Sequence, residues 1–206
     1  MHEPGIAYRL LDGSAAVASL DDLAALDREV YPDADASERA RRRSVWRRQP
    51  GFALAEARHG GYLVGYAAGM PLRPSTSWWR DLTTPLPADV TEEHQGRTFA
   101  LTELEVRAAW RRQGIGRELH DLVLAGRTEE RATVTAAPNA AAAQAAFRGW
   151  GWRKVARTRS EDHRDEVRDV LLTSLPRPAA AGAPSHRDGN ERRMRTSTDL
   201  RADLRQ

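Results

Sequence analysis

Apolar residues along the first 175 positions alternate between short runs and helical stripes. Tyr8 to Leu11 is a short apolar run that predicts a first strand. Leu20, Leu23, Leu26 and Val30 then recur at the spacing of one helical face, behind the polar Ser19-Asp21-Asp22 group, and Tyr31-Pro32 ends the stripe. Ser37 to Gln49 reads as a second helix. Its arginines, Arg41 to Arg43 with Arg47-Arg48, are expected on solvated faces, and Pro50-Gly51 stops it. Phe52 to Arg58 and Tyr62 to Met70 are strand-like runs joined by His59-Gly60-Gly61, where the glycines supply the backbone freedom of a tight hairpin.

Residues 71–97 break this regularity. They hold Pro71, Pro74, Pro85 and Pro87, many Ser and Thr, and the pair Trp78-Trp79, and they predict a long irregular insertion. Regular patterning then resumes. Phe99 to Val106 is a strand, and Ile115, Leu119, Leu122 and Val123 are the apolar face of the helix after it. Ala132 to Ala136 is a short strand, Asn139 to Trp150 an alanine-rich helix, and Trp152 to Thr158 and Val167 to Leu175 are two closing strands. The order β, α, α, β, β, β, α, β, α, β, β is that of an α/β domain with one core spanning residues 1–175. From Pro176 onward the chain is rich in Pro, Ala and Arg with little apolar content, so 176–206 are expected to form a disordered Arg-rich tail.

Composition narrows the function classes. The 206 residues contain no cysteine, which excludes disulfides, thiolate metal sites and cysteine nucleophiles and suits a cytoplasmic location. No secretory leader or membrane-spanning run is visible in the sequence, so no membrane partner is expected. The net charge of +3 resides in the tail: seven arginines there face Asp188, Glu191, Asp199 and Asp203, which leaves residues 1–175 neutral. A neutral body argues against a nucleic-acid surface on it, and any such role would fall to the tail. His59, His94, His120 and His163 lack metal-ligand spacing, so no metal is expected and each is read as structural or exposed.

Val106-Arg107-Ala108-Ala109-Trp110-Arg111-Arg112-Gln113-Gly114-Ile115-Gly116-Arg117 leaves a strand and enters a helix. Gly114 and Gly116 allow a sharp turn and close ligand approach, and the free amides of a helix start favour a phosphate. Arg111, Arg112 and Arg117 add positive charge. No Gly-Lys-Ser/Thr and no Gly-x-Gly-x-x-Gly is present, so neither a nucleotide P-loop nor a dinucleotide fold fits. A glycine pair before a helix can also be simply a turn.

The string Arg111-x-x-Gly114-x-Gly116, with Val106 ahead of it and the Ile115/Leu119/Leu122/Val123 helix behind, resembles the coenzyme A signature of the GNAT N-acetyltransferase superfamily. Pro138-Asn139, the alanine helix and Phe147-Arg148-Gly149-Trp150-Gly151-Trp152 resemble that family's second conserved stretch. The resemblance covers residues about 6 to 175. It implies a single GNAT-like domain with a mixed central sheet of about seven strands and helices on both faces. Acetyl-CoA would enter a slot where the strand ending at Val106 parts from Ala132 to Ala136. Its pantetheine arm would pair with backbone near Val106, Arg107 and Ala108. Its pyrophosphate would lie on Gln113, Gly114, Ile115, Gly116 and Arg117 with Arg111 and Arg112 nearby, and Asn139 and Phe147 would stand beside the cofactor.

The implied reaction is direct transfer of the acetyl group to a primary amine, of a small molecule or a protein, without metal or covalent intermediate. The sequence departs from the family at two points. Phe147 stands where a Tyr usually offers its hydroxyl to the departing thiolate, and Asn139 lies eight residues before it, where seven is usual. These departures leave a catalytically weak acyl-CoA-binding or sensing module as the alternative. Glu103 and Glu105 alternate on the strand ending at Val106 and are the candidate general bases, with Glu103 favoured. Trp78 and Trp79 either line the acceptor pocket or anchor the insertion. Trp150 and Trp152 are expected in the core, and the chain is compatible with a homodimer.

Overall fold

The computed structural model describes residues 5–33, 35–159 and 166–175. The expected tail, 176–206, and His163 lie outside these. Strand β1 (Ile6–Leu11) leads into helices α1 (Leu20–Val30) and α2 (Ala36–Trp46), then β2 (Ala53–His59) and β3 (Tyr62–Pro71). The insertion carries one short helix, α3 (Ala88–Thr91). It is followed by β4 (Thr98–Val106), α4 (Ile115–Leu124), β5 (Arg131–Ala136), α5 (Ala141–Gly149), β6 (Arg153–Arg159) and β7 (Val167–Ser174). The expected order of elements is present, with ends shifted by one to three residues.

Local chemistry accounts for these boundaries. Asp35 caps α2, its Oδ1 accepting from the amides of Ser37 at 2.9 Å and Glu38 at 3.2 Å. The β2–β3 hairpin pairs His59 with Tyr62 across Gly60 and Gly61, whose φ values of 54° and 88° are those of a two-residue turn with both positions left-handed. Leu82 bridges to Thr158, so the insertion is tied to β6 rather than hanging free.

The seven strands form one sheet in the order β1-β2-β3-β4-β5-β7-β6. Only β4 and β5 are parallel, and their pairing is confined to Thr98–Ala100 against Arg131–Thr133. Beyond that point β4 continues along β3, and β5 continues along β7. A wedge therefore opens between them toward Val106.

A bulge sets what each face of β4 carries. Ala68 opposes Glu103 and Gly69 opposes Leu101, so Thr102 is the extra residue and the alternation of side chains reverses there. Before the bulge, Phe99 and Leu101 join Ile115, Leu119 and Val123 of α4 in the largest apolar cluster. After it, Glu103 and Glu105 point to the opposite face. There α1 buries Leu23 and Leu26 against Leu54, Leu63, Tyr66 and Ala68. Helices thus cover both faces. Trp152 is buried and Trp150 packs at the edge of the α4 and α5 cluster, as expected.

The arginines of α2 depart from expectation. Arg43 is 2% exposed and Arg39 is largely buried, so one face of this helix carries guanidinium groups into the protein. Their spacing of four residues puts them on the same side, and the acidic side chains beneath supply the reason. Close packing around the bulge is measurable at Gly69, where a methyl group would lie 2.5 Å from both the Ala100 oxygen and the Phe99 ring. Gly69→Ala is expected to lower stability by about 1–3 kcal/mol, the usual cost of overpacking, read from the thermal midpoint.

Candidate active site

The loop after β4 is the segment expected to receive an anion. Ala108–Trp110 makes one 3₁₀ turn, and Arg111 Nε folds back onto the Val106 carbonyl at 2.9 Å, which sets a guanidinium at the mouth of the wedge. Arg112 has φ 66°, the one non-glycine residue with positive φ among the described residues. Gly114, at φ 84°, begins α4, and no side chain caps the first turn. The Arg117 and Glu118 amides donate to the Gly114 carbonyl, and those of Ile115 and Gly116 stand at the positive end of the helix dipole without a side-chain cap. A methyl group added at Gly114 would meet nothing within 4 Å, and at Gly116 only Val106 Cγ2 at 3.8 Å. Gln113 is exposed, and its side-chain amide donates to Ala109.

The other residues of this segment divide by role. Ile115 is buried in the α4 cluster. Arg117 pairs with Asp121 on its own helix and lies over the Trp150 ring. Arg107 turns away from the wedge: its Nε donates to the Leu63 carbonyl at 2.8 Å, it pairs with Glu29, and it lies over the Tyr62 ring. Its backbone N–H donates to the Val64 carbonyl at 2.9 Å, and Ala108 after it is exposed.

Asn139 is exposed in the turn before α5. Phe147 is 5% exposed and packs edge-on against Trp150 and Trp152, with ring centres 5.5 and 5.4 Å away. His120 completes this group. Its Nε2 accepts from Trp152 Nε1 at 2.9 Å, so its proton sits on Nδ1, which faces Asp121 Oδ1 at 2.8 Å. Among the described histidines, His59, His94 and His120, this is the one that is fully buried, and it packs within the aromatic group. Trp79 is buried as well, its Nε1 donating to Glu93 at 3.0 Å beneath the Arg131 guanidinium. It anchors the insertion, and its edge lines an open hollow of about 500 Å³ with Pro74, Leu82 and Leu86. Trp78 packs against the same apolar cluster.

Glu103 and Glu105 lie in a buried ionic cluster that sequence reasoning missed. Arg43 meets Glu103 side-on, with Nε to Oε2 and Nη2 to Oε1 both at 3.0 Å. The same Nη2 donates to Asp27 Oδ2 and to the Tyr66 hydroxyl, each at 2.8 Å, and that hydroxyl donates to Asp27 Oδ1 at 2.8 Å. Arg39 reaches Glu105 Oε1 at 2.5 Å, Asp27 Oδ1 at 3.4 Å and Glu103 Oε1 at 3.6 Å. A usable signal was present: Asp27 stands on the Leu23/Leu26/Val30 stripe, and Arg39, Arg43 and Trp46 share one face of α2.

Three carboxylates share two guanidinium groups here. Burial works against the charge of Asp27, but Arg43, Arg39 and Tyr66 together hold its carboxyl below the ordinary value. Glu105 is the group left short. Burial, with Glu103 and Asp27 nearby, overrides Arg39 and pushes its carboxyl up to about 8. Its Oε2 is buried without a hydrogen-bond partner. Two carboxyls of similar sequence position are thus distinct: Glu103 is tied down by both oxygens, and Glu105 keeps one free.

The Acetyltransferase (GNAT) family model matches residues 18–152. The chain belongs to the GNAT acetyltransferase family. A search of characterised protein sequences finds no match. Among solved structures, the GNAT fold is shared with an aminoglycoside 6'-acetyltransferase type Ii, at 16% identity and TM-score 0.61, over 84% of this chain and 99% of that one. It is also shared with the ribosomal-protein-S18-alanine N-acetyltransferase from Escherichia coli, at 12% identity and TM-score 0.59, over 87% and 99%. An aminoglycoside N-acetyltransferase in complex with CoA is similar at 14% identity and TM-score 0.55, over 79% and 97%. No helix among the described residues is long and apolar enough to cross a membrane.

The raised carboxyl of Glu105 has a consequence for stability. The folded protein keeps a proton on Glu105 up to pH about 8, while the unfolded chain releases it near the ordinary glutamate value. Between these limits the folded state binds more protons, so this group's contribution to stability is full below the lower limit and is lost as pH rises to about 8. Glu105→Gln removes that dependence. The difference in thermal midpoint, variant minus wild type, is expected to grow in the variant's favour from pH 4.5 to about 8 and then level off. A difference independent of pH would show that Glu105 titrates as an ordinary carboxyl.

Proposed function

We propose that this protein is an N-acetyltransferase that moves an acetyl group from acetyl-CoA directly to a primary amine, with Glu105 as general base. One observation carries the proposal: β4 bears a half-bonded carboxyl on one face and, nine residues on, the chain reaches an uncapped helix start suited to an anion, beside an open wedge. The residues fit the cosubstrate. The uncapped start of α4 suits a pyrophosphate, the space around Gly114 and Gly116 admits it, and Arg111 and Arg112 add charge. Leu101–Val106 lacks a strand partner on the β5 side, and that backbone edge suits the amide groups of a pantetheine arm.

Acetyl-CoA, when bound, supplies an activated acyl carbon. An acceptor enters as an ammonium and must lose a proton to become a nucleophile. A carboxyl with pKa about 8 has a proton affinity suited to that step near neutral pH, better than an ordinary carboxylate would. Glu103, first in line on sequence grounds, instead spends both oxygens on Arg43. The acceptor side is the face of α1 and α2, where Tyr31 lies beneath Arg39 with 42% of its surface exposed. The named relatives act on aminoglycosides or a ribosomal protein. Either acceptor class presents a primary amine.

The second reading, a weakly catalytic acyl-CoA-binding module, draws support from Phe147, which has no hydroxyl to give a departing thiolate. A thiol of pKa about 8.5 can leave without one, so the missing acid slows the reaction rather than forbidding it.

Gly116→Ala keeps the free fold intact, because its methyl group has room, but it intrudes on the cradle. Wild type is expected to gain about 2.7 kcal/mol of stability at acetyl-CoA one hundred times the dissociation constant, measured as a thermal shift. Gly116→Ala should show an unchanged midpoint alone and at least a tenfold weaker response to acetyl-CoA. Glu105→Gln should lower kcat on a responsive amine by about 10²–10⁴-fold without loss of that thermal shift. Full kcat in Glu105→Gln would end its assignment as base, and no shift with acetyl-CoA would end the cosubstrate assignment. Phe147→Tyr separates the two readings of the fold: raised turnover supports the enzyme, and no turnover by either form on a broad panel of amines supports the binding module.

A further inference from the structure

Asp27 has no place in the reaction just described, yet it sits at the centre of the ionic cluster. It is 3% exposed, on the apolar stripe of α1, and it touches both guanidinium groups as well as the Tyr66 hydroxyl. Charge counting explains what it does there. Arg39 and Arg43 can neutralise two carboxylates. Glu103 takes Arg43 by both oxygens, and Asp27 draws on Arg43 at 2.8 Å and Arg39 at 3.4 Å. Among the described residues Arg39 is the cation that bonds Glu105, and Asp27 and Glu103 compete for it.

We infer that Asp27 is a positioning residue that keeps Glu105 able to hold a proton by claiming part of the Arg39 charge that Glu105 and Glu103 would otherwise divide. This inference rests on Glu105 acting as base, and it names the group that tunes it. Burial is the largest cause that keeps the proton on Glu105, and the two negative neighbours with only a shared cation add to it, so the third carboxyl to ionise holds its proton to higher pH. Removing one negative charge leaves two carboxylates for two guanidinium groups, and the remaining pair can both ionise.

The other groups around Glu105 leave this balance in place. From α1, Glu29 is engaged by Arg107. Tyr31 follows α1, with Arg39 over its ring and Arg168 of β7 within electrostatic range of it. From β3, Tyr66 is wholly buried, and its hydroxyl is held protonated by burial and by Glu103. From α2 come Arg39 and Arg43, and from β4 Glu103. None of these adds a third cation bonded to the carboxylates among the described residues.

Asp27→Asn keeps the shape and a side-chain oxygen for the Tyr66 hydroxyl while removing the charge. The Glu105 carboxyl can be followed directly by carbon-13 NMR of glutamate-labelled full-length protein, with its resonance assigned through Glu105→Gln. The pH profile of acetyl transfer is measured in parallel. In wild type the resonance should titrate with a midpoint near 8, and in Asp27→Asn the midpoint should fall by at least one pH unit, with the acidic limb of kcat/KM moving with it. Glu103→Gln, which removes the other neighbouring charge, should move the resonance in the same direction and serves if Asp27→Asn does not fold. Asp27→Glu, which restores the charge, should return the midpoint toward wild type.

An unmoved resonance in both charge-removing variants would overturn the inference. A resonance that falls while the rate profile stays put would support Asp27 as the tuning group and remove Glu105 as the base. The two claims therefore fail by different readouts.

Discussion

The single extra residue in β4, Thr102, is the constraint on which the rest of the site depends. Side chains of a regular strand alternate between faces, so Leu101, Glu103 and Glu105 would all point the same way without it. That way leads into the cluster of Phe99, Ile115, Leu119 and Val123, where two carboxyls would be buried without partners. The bulge turns the strand's second half over. Apolar side chains before it complete the core under α4, and acidic side chains after it meet the arginines of α2.

The same stretch of β4 loses its partner on the other side. Pairing with β5 ends at Ala100, two residues before the bulge, and the freed edge runs to Val106. One strand thus presents a charged face, an unpaired backbone edge and, at its end, the uncapped helix start at Gly114. In the proposed reaction, binding of a long anionic cosubstrate and handling of a proton on an acceptor are neighbouring tasks of a few consecutive residues. The left-handed backbone at Arg112 belongs to this economy: a strained residue in a turn is tolerated where the surrounding loop must aim its amides.

The ionic cluster beneath α1 and α2 has a different logic. Burying five ionisable groups is costly, and an apolar patch of equal volume would hold the helices as well or better. Two atoms of the cluster lack a hydrogen-bond partner, Arg39 Nε and Glu105 Oε2, and the shortage of positive charge falls on Glu105. Of the three carboxyls only Glu105 keeps an unbonded oxygen, and the network concentrates its titration there. The glutamate favoured on position alone, Glu103, is the one the network immobilises.

Much of this protein is legible along the chain. The helical stripes, the Gly60-Gly61 hairpin, the strand order in sequence and the anion loop from Val106 to Gly116 are local features, set by side-chain periodicity and by backbone freedom at particular glycines. The alternation of Glu103 and Glu105 on one face was local too. What lay beyond local reach were the partners. The arginines of α2 read as a solvated surface because helical periodicity says which residues share a face and not what that face meets. Asp27, Arg39 and Arg43 come from segments separated by 12 to more than 60 residues from their partners, and only the sheet order and the bulge bring them to Glu103 and Glu105. Sequence determined the elements, the glycine turn into α4 and the candidate carboxyls. Tertiary structure decided which carboxyl is free to exchange a proton, because that depends on how many positive charges fold in beside it.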